Sequence, residues 1–278
     1  MENNMITLVT GGTGKTGRRV AERMARRGLP IRIASRTSQQ AFDWHQPASW
    51  KAALQGVAAV YVAYAPDLAV PGTQQIMQAF AEQAVRAGVR KFVLLSGRGE
   101  VAAQDCERVF QATAAETTIL RADWFNQNFS EDFLVESLRQ GQVMLPVGAV
   151  REPFIDADDI ADVAVAALTD DRHAGQVYEL SGPRALTFAE ATQEIARAIG
   201  REIGYQQIPL ASFLDAVAAT GATPGYLELL RFLFTEVLDG RNASVTDGVE
   251  RALGRPPRDF TDFARTAAAT GCWAPAAA

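Results

Sequence analysis

The chain has 278 residues, 48% of them hydrophobic and 21% charged, which suits one large domain or a domain with a smaller lobe. A net charge of −5 argues against a nucleic-acid surface, and two cysteines (Cys106 and Cys272) without a Cys/His cluster argue against a disulfide framework or a zinc site. No apolar run reaches the roughly 18 residues of a membrane span, and no signal peptide is visible, so a cytoplasmic protein is expected.

The first element is an apolar, β-branched strand over Ile6-Thr7-Leu8-Val9-Thr10. It runs into Gly11-Gly12-Thr13-Gly14-Lys15-Thr16-Gly17 and then into a helical pattern with Val20, Ala21, Met24 and Ala25 on one face. Strand, glycine-rich turn and helix is the arrangement that holds a dinucleotide pyrophosphate. Gly11 permits a tight turn, Gly14 lets a phosphate approach the backbone, and Gly17 lets the helix pack closely. The spacing is G-x-x-G-x-x-G, and Gly-Lys-Thr here lacks the upstream glycine of a P-loop. Arg26-Arg27-Gly28 stops the helix.

A second strand is expected over Ile31–Arg36. NAD-binding chains usually end it on an acidic residue that takes the ribose hydroxyls. This one ends on Ser35 and Arg36, and a guanidinium suits a 2′-phosphate, so the reading favours NADP(H). Asp43 is a candidate acceptor for the adenine amino group, beside apolar walls; the alternative is a turn aspartate. A short helix over 47–54, a strand over 58–63, a helix over 72–87, a strand over 91–96, a helix over 102–115 and a strand over 117–121 follow. This alternation predicts an α/β fold, a Rossmann-type doubly wound parallel sheet. Tyr64, Ser96 and Asp123 fall just past strand C-termini, where ligands sit in such sheets.

Beyond residue 140 the pattern loosens into short extended pieces at 143–146 and 153–155, a helix to Leu168 and a strand over 177–180. The aspartates Asp156, Asp158 and Asp159 open that helix and read as N-terminal caps that complement the dipole, not as a metal site. Thr187-Phe188-Ala189-Glu190 is a capping box for a helix ended by Gly200. The expected division is a nucleotide-binding domain over 1–182 and a small, mostly helical C-terminal substrate lobe over 183–278, with strand exchange near 143–180. The aromatic stripe from Tyr226 to Leu238 reads as core, with a pocket wall or a dimer contact as alternatives. His45 and His173 fall in loops and Cys106 reads as a packed thiol.

Several of these segments together resemble one family. Thr10–Gly17 resembles the phosphate loop of atypical short-chain dehydrogenases. Gly88–Ser96, Ile119–Phe129, Pro153–Ala161 and Val177–Pro183 resemble motifs of the NmrA-like group, nearest its ergot-alkaloid-type oxidoreductases and their bacterial relatives. The resemblance implies NADPH binding at the sheet's switch point and a substrate pocket under the C-terminal lobe. It also implies either a reductase of quinones, imines, enones or other small carbonyl compounds, or a redox-sensing regulator that binds NADP without turnover. Ordinary short-chain dehydrogenases place a tyrosine and a lysine on the helix after the fourth strand. Residues 101–110 of this chain hold neither. Ser96, Tyr64 and Asp123 are then the catalytic candidates, with Asn126 and Asn128 fixing the loop near the nicotinamide. A homodimer is left open.

Overall fold

The computed structural model describes residues 6–38 and 41–275. In chain order the elements are β1 (Ile6–Thr10), α1 (Lys15–Arg26), β2 (Ile31–Ala34), α2 (Trp50–Leu54), β3 (Val57–Val62), α3 (Thr73–Arg86), β4 (Lys91–Gly97), α4 (Val101–Gln111) and β5 (Glu116–Ala122). They continue with α5 (Leu134–Gln140), β6 (Gln142–Leu145), β7 (Arg151–Glu152), α6 (Ala157–Thr169), β8 (Val177–Leu180), β9 (Leu186–Thr187), α7 (Phe188–Ile199) and β10 (Gly204–Gln207). Four helices close the chain: α8 (Leu210–Ala219), α9 (Pro224–Phe232), α10 (Gly248–Leu253) and α11 (Phe260–Ala269). Among the described residues no helix is long and apolar enough to cross a membrane.

The chain forms two compact units that interleave along the sequence. The first comprises 1–122, 157–180 and 247–255, and the second comprises 123–156, 181–246 and 256–278. The sequence reading divides the chain at 182/183 with strand exchange near 143–180; in the observed arrangement α6 and β8 lie in the first unit together with α10, and residues 123–156 belong to the second.

The first unit is built on a six-stranded sheet of order β2-β1-β3-β4-β5-β8, parallel throughout. Val9 is the register point at its centre, opposite Ile33 on one side and Tyr61 on the other. The strands are apolar runs because both faces are covered by helices. Val60, Val62, Phe92 and Leu94 pack with Met77 and Phe80 of α3 and with Cys106 and Phe110 of α4. The chain leaves β1 for β2 on one side and comes back to β3 on the other, so the topological switch point lies between β1 and β3. This is the Rossmann-like α/β fold expected from the alternation.

Boundaries differ where local chemistry intervenes. β2 stops at Ala34 because Ser35 opens a turn in which its carbonyl accepts from the Ser38 and Phe42 amides. Ala25 is exposed, since it sits on the outer side of α1, whereas Val20, Ala21 and Met24 are buried. Residues 47–54 split into a 3₁₀ turn (Pro47–Ser49) and α2. Of Pro153–Ile155, only Ile155 pairs, as an isolated parallel bridge to Phe125.

The second unit is organised around Phe129, Phe154, Phe188 and Phe260, whose rings meet edge-on at 5.1 to 5.4 Å between several pairs. Trp273 closes the cluster, with its Nε1–H donating to the Phe129 carbonyl at 2.7 Å. The capping box of α7 is present: Thr187 Oγ1 accepts from the Glu190 amide at 3.1 Å and Glu190 Oε2 accepts from the Thr187 amide at 2.8 Å. The Tyr226–Leu238 stripe is α9 followed by a π-helical turn over Leu233–Val237, and Leu230, Phe234 and Leu238 are core residues of this unit.

Candidate cofactor and active site

Three glycines of the β1–α1 turn each have a distinct structural reason. Gly11 sits at φ +59°, in the left-handed region, where side chains are strained. Gly14 is extended (φ −82°, ψ 179°) and caps α1, donating its amide to the Gly11 carbonyl at 2.8 Å. Gly17 is packed so tightly that a Cβ there would lie 2.2 Å from the Gly11 carbonyl oxygen. The helix therefore starts directly on the loop, and Thr13 and Gly14 are exposed at its mouth. No acidic residue occupies the first turn of α1. Helix geometry leaves the first amides pointing outward, and the dipole favours an anion there. Thr10 pins the loop to the switch point: its Oγ1 accepts from the Ala63 amide at 2.9 Å and donates to the Tyr61 carbonyl at 3.0 Å. The glycines thus leave a backbone cradle suited to a pyrophosphate.

The turn after β2 carries Ser35, Arg36, Thr37 and Ser38. Ser38 Oγ donates to the Ser35 carbonyl at 2.9 Å and accepts from its amide at 3.2 Å, while Arg36 is exposed. It is a small hydroxyl-rich loop with a guanidinium and no carboxylate. Asp43 lies in the next turn. Its Oδ1 accepts from the His45 amide at 2.9 Å, its Oδ2 from the Gln46 side chain at 3.2 Å, and its carbonyl from Trp50 Nε1 at 2.9 Å. These bonds are those of a turn aspartate. The adjacent Trp44 ring packs against Tyr64, with centroids 5.5 Å apart, so the fold brings Tyr64 together with the Asp43 turn.

Ser96 is placed differently. It is buried at the end of β4, and its Oγ donates to Glu107 Oε1 of α4 at 2.7 Å. Glu107 in turn accepts from Arg121 Nη2 at 2.7 Å and Nε at 3.0 Å. Arg121 and Arg98 both reach Glu179, at 3.4 and 3.2 Å. Ser96 is therefore the end of a charged network that ties β4, α4, β5 and β8 together. Asp123 is buried and is the first residue of the second unit. In that unit Asn126 is fully buried, with no hydrogen-bond partner for its side-chain amide among the described residues; the same holds for the Trp124 indole N–H. The Asn126 amide N–H donates to the Ile155 carbonyl at 2.8 Å.

The remaining polar candidates have structural partners. Asp158 pairs with Arg23 at 2.5 Å and Asp159 with Arg255 at 2.7 Å, so these acids hold α6 to α1 and to the segment after α10. His173 is buried, with Nδ1 2.8 Å from the Tyr178 hydroxyl, and burial lowers its pKa. Cys106 is buried too, its thiol pushed up to about 11 by desolvation and then by Asp67 and Glu107.

One pair escapes the sequence reading. Asp67, five residues past β3, and Glu100, three residues past β4, bring their carboxyl groups close enough to interact. Burial, then the Asp67 charge, pushes Glu100 up to about 9. The signal in the sequence is that both are acids following strand C-termini, though 33 positions apart and in segments that read as turns.

The NmrA-like family matches residues 3–237. The chain is 32% identical to the uncharacterized oxidoreductase YesF of Bacillus subtilis, over 98% of this chain and 99% of that one. It is 31% identical to an NAD(P)H azoreductase of Xenophilus azovorans, over 95% and 98%, and 30% identical to an agroclavine dehydrogenase of Claviceps purpurea, over 94% and 96%. Among solved structures it is similar to the NADP(H) complex of a triphenylmethane reductase from Citrobacter sp., with TM-score 0.74, 18% identity and coverage of 95% and 99%. The match runs through both units and covers the glycine loop, the strand ends and the turn that follows β5; the chain belongs to the NmrA-like family.

Proposed function

We propose that the protein is an NADPH-dependent reductase that passes hydride to a small organic acceptor such as a quinone, imine, enone, ketone or azo compound. It is an NAD(P)H-dependent oxidoreductase of the atypical short-chain dehydrogenase type. The observation that carries this reading is the glycine cradle. Gly11, Gly14 and Gly17 bring the start of α1 against the ends of β1 and β3 and leave backbone donors for a pyrophosphate. Arg36, with Ser35 beside it, takes the 2′-phosphate, and the Asp43 turn with Trp44 and Tyr64 borders the adenine side. Thr13, Lys15, Thr16 and the Gly12 backbone complete the phosphate loop.

When bound, the reduced nicotinamide supplies the hydride; the chain supplies orientation and polar contacts. Helix α4 holds neither tyrosine nor lysine, so the acid of ordinary short-chain dehydrogenases is missing from its usual helix. Acceptors that are electrophilic without strong acid assistance fit such a site. The same absence favours a second reading, a regulator that binds NADP(H) without turnover.

The test is to mix the protein with NADPH or NADH and a panel of quinones, imines, enones and azo compounds, following the loss of reduced-nicotinamide absorbance. Acceptor-dependent oxidation that prefers NADPH and is lost in Gly14→Asp supports the reductase. NADPH binding without turnover across the panel supports the regulator.

A further inference from the structure

We infer that Glu100, partnered by Asp67, is the acid that protonates the acceptor, taking the role that a tyrosine fills in ordinary short-chain dehydrogenases. The inference rests on the reductase reading above and adds to it the missing proton donor.

The geometry points there first. Glu100 follows β4 by one turn and occupies the N-cap of α4, with no capping hydrogen bond from its side chain. The carboxyl instead folds back over the last residue of β4. A Cβ on Gly97 would lie 2.2 Å from Glu100 Oε1 and 2.5 Å from Oε2, so the strand ends in glycine where this carboxyl rests. It therefore lies at the carboxyl edge of the sheet, where open α/β folds receive their ligands. The residue is 6% exposed, and Oε2 has no hydrogen-bond partner among the described residues. A buried carboxyl oxygen without a partner costs free energy unless it is neutral or meets a ligand.

The chemistry of the pair agrees. Two interacting carboxyl groups in a buried setting do not both ionise readily, so one of them holds a proton. Asp67 is half-buried and anchored, its Oδ1 accepting from the Ala69 amide at 2.7 Å. The more enclosed Glu100 keeps the proton, and the less buried Asp67 is its neighbour toward the surface-exposed turn. The other titratable groups packed here do not compete. Cys106 of α4 sends its thiol toward the Leu68 carbonyl, Glu107 is engaged by Ser96 and Arg121, and Arg98 reaches Glu179.

With a quinone the step balances as follows. Hydride supplied by the reduced nicotinamide brings two electrons to the ring. The Glu100 Oε–H bond breaks as an O–H bond forms on the quinone oxygen. The carboxylate left on Glu100 regains a proton from solvent by way of Asp67. The products are a hydroquinone and oxidised nicotinamide.

The test compares two acceptors in the wild type and in Glu100→Gln. A quinone needs hydride and a proton; a triarylmethane dye cation needs hydride alone. If Glu100 is the acid, the kcat loss on the quinone exceeds the loss on the dye by about 10²-fold, the scale of a general acid. Wild-type quinone turnover should fall as pH rises past about 9. Asp67→Asn, which keeps Glu100, should move that fall to lower pH. Independently of turnover, cofactor-free protein at pH 7 should show a protonated-carboxyl infrared band that disappears in Glu100→Gln. Equal losses on both acceptors, or an unchanged infrared band, overturn the assignment alone. Wild-type protein that reduces neither acceptor overturns the reductase reading and this assignment with it.

Discussion

Gly17→Ala is the sharpest probe of the phosphate loop, because two effects of known size oppose each other. A new Cβ would sit 2.2 Å from the Gly11 carbonyl oxygen, 2.6 Å from its carbon and 3.0 Å from the Gly12 Cα. All three atoms are backbone, so no rotamer change relieves the clash. The start of α1 and the loop must move apart by about 1 Å to restore ordinary contact. Overpacking of this kind costs about 1–3 kcal/mol. Alanine in place of glycine inside a helix returns about 1 kcal/mol. The net loss of stability is therefore only about 0–2 kcal/mol, and the thermal midpoint should fall by no more than about 8 °C at about 2–4 °C per kcal/mol. Cofactor binding should suffer more. Displacing one or two charge-assisted amide–phosphate bonds, each contributing about 1.5–3 kcal/mol, weakens NADPH by tenfold or more. Fluorescence titration of NADPH beside a thermal melt measures both quantities. Gly14→Ala is the stability control, since its Cβ would meet only the Gly11 oxygen at 3.2 Å. Wild-type NADPH affinity in Gly17→Ala would refute the reasoning, as would a melt more than about 10 °C lower.

Arg36→Ala should weaken NADPH by about 10-fold to 100-fold, the value of one strong ionic hydrogen-bonding group, and change NADH little; equal effects on the two would remove the 2′-phosphate assignment. Arg121→Met leaves the Glu107 carboxylate buried without its guanidinium and should cost about 3–5 kcal/mol in chemical denaturation, part of which the double variant with Glu107→Gln should recover. In the second unit Arg184 holds Asp259 down to about 2 through hydrogen bonds at 2.7 and 2.9 Å. Because the folded pKa is lowered, this stabilisation is complete above the ordinary value of 3.8 and is lost as pH falls through about 2. The melting difference between wild type and Asp259→Asn should therefore be present at pH 7 and shrink progressively below pH 4.

What the sequence made legible was local. The glycine spacing, the β-branched runs of β1, β3 and β4 and the Thr187–Glu190 box each encode their structure within a few residues. The alternation of strands and helices then restricts the sheet to a parallel, doubly wound order. The rest depends on partners distant in sequence. Ser96 looked like a strand-end hydroxyl facing a ligand, and nothing near it announces that Glu107 accepts its proton. Asp158 and Asp159 read as acids at a helix start, and they stand in the first turn of α6, but nothing near them announces their ion pairs with Arg23 and Arg255, far away in the sequence. Asp67 and Glu100 are unremarkable turn acids until the sheet places the ends of β3 and β4 side by side.

The segment 247–255 also bears on how the chain is made. In the first unit, Gly248 lies so close to β8 that a Cβ would be 2.0 Å from the Glu179 carbonyl oxygen. Arg251 stands 5.2 Å over the Tyr178 ring and Arg255 reaches Asp159. This piece is synthesised after all the other residues of its unit, from which 181–246 separate it. A nascent chain released at residue 182 would therefore carry every strand of the sheet and the whole glycine loop, with the outer face of its last strand still uncovered. The first unit reaches its final form only once 247–255 has been made, so removing that segment should damage a site whose phosphate loop lies far earlier in the sequence.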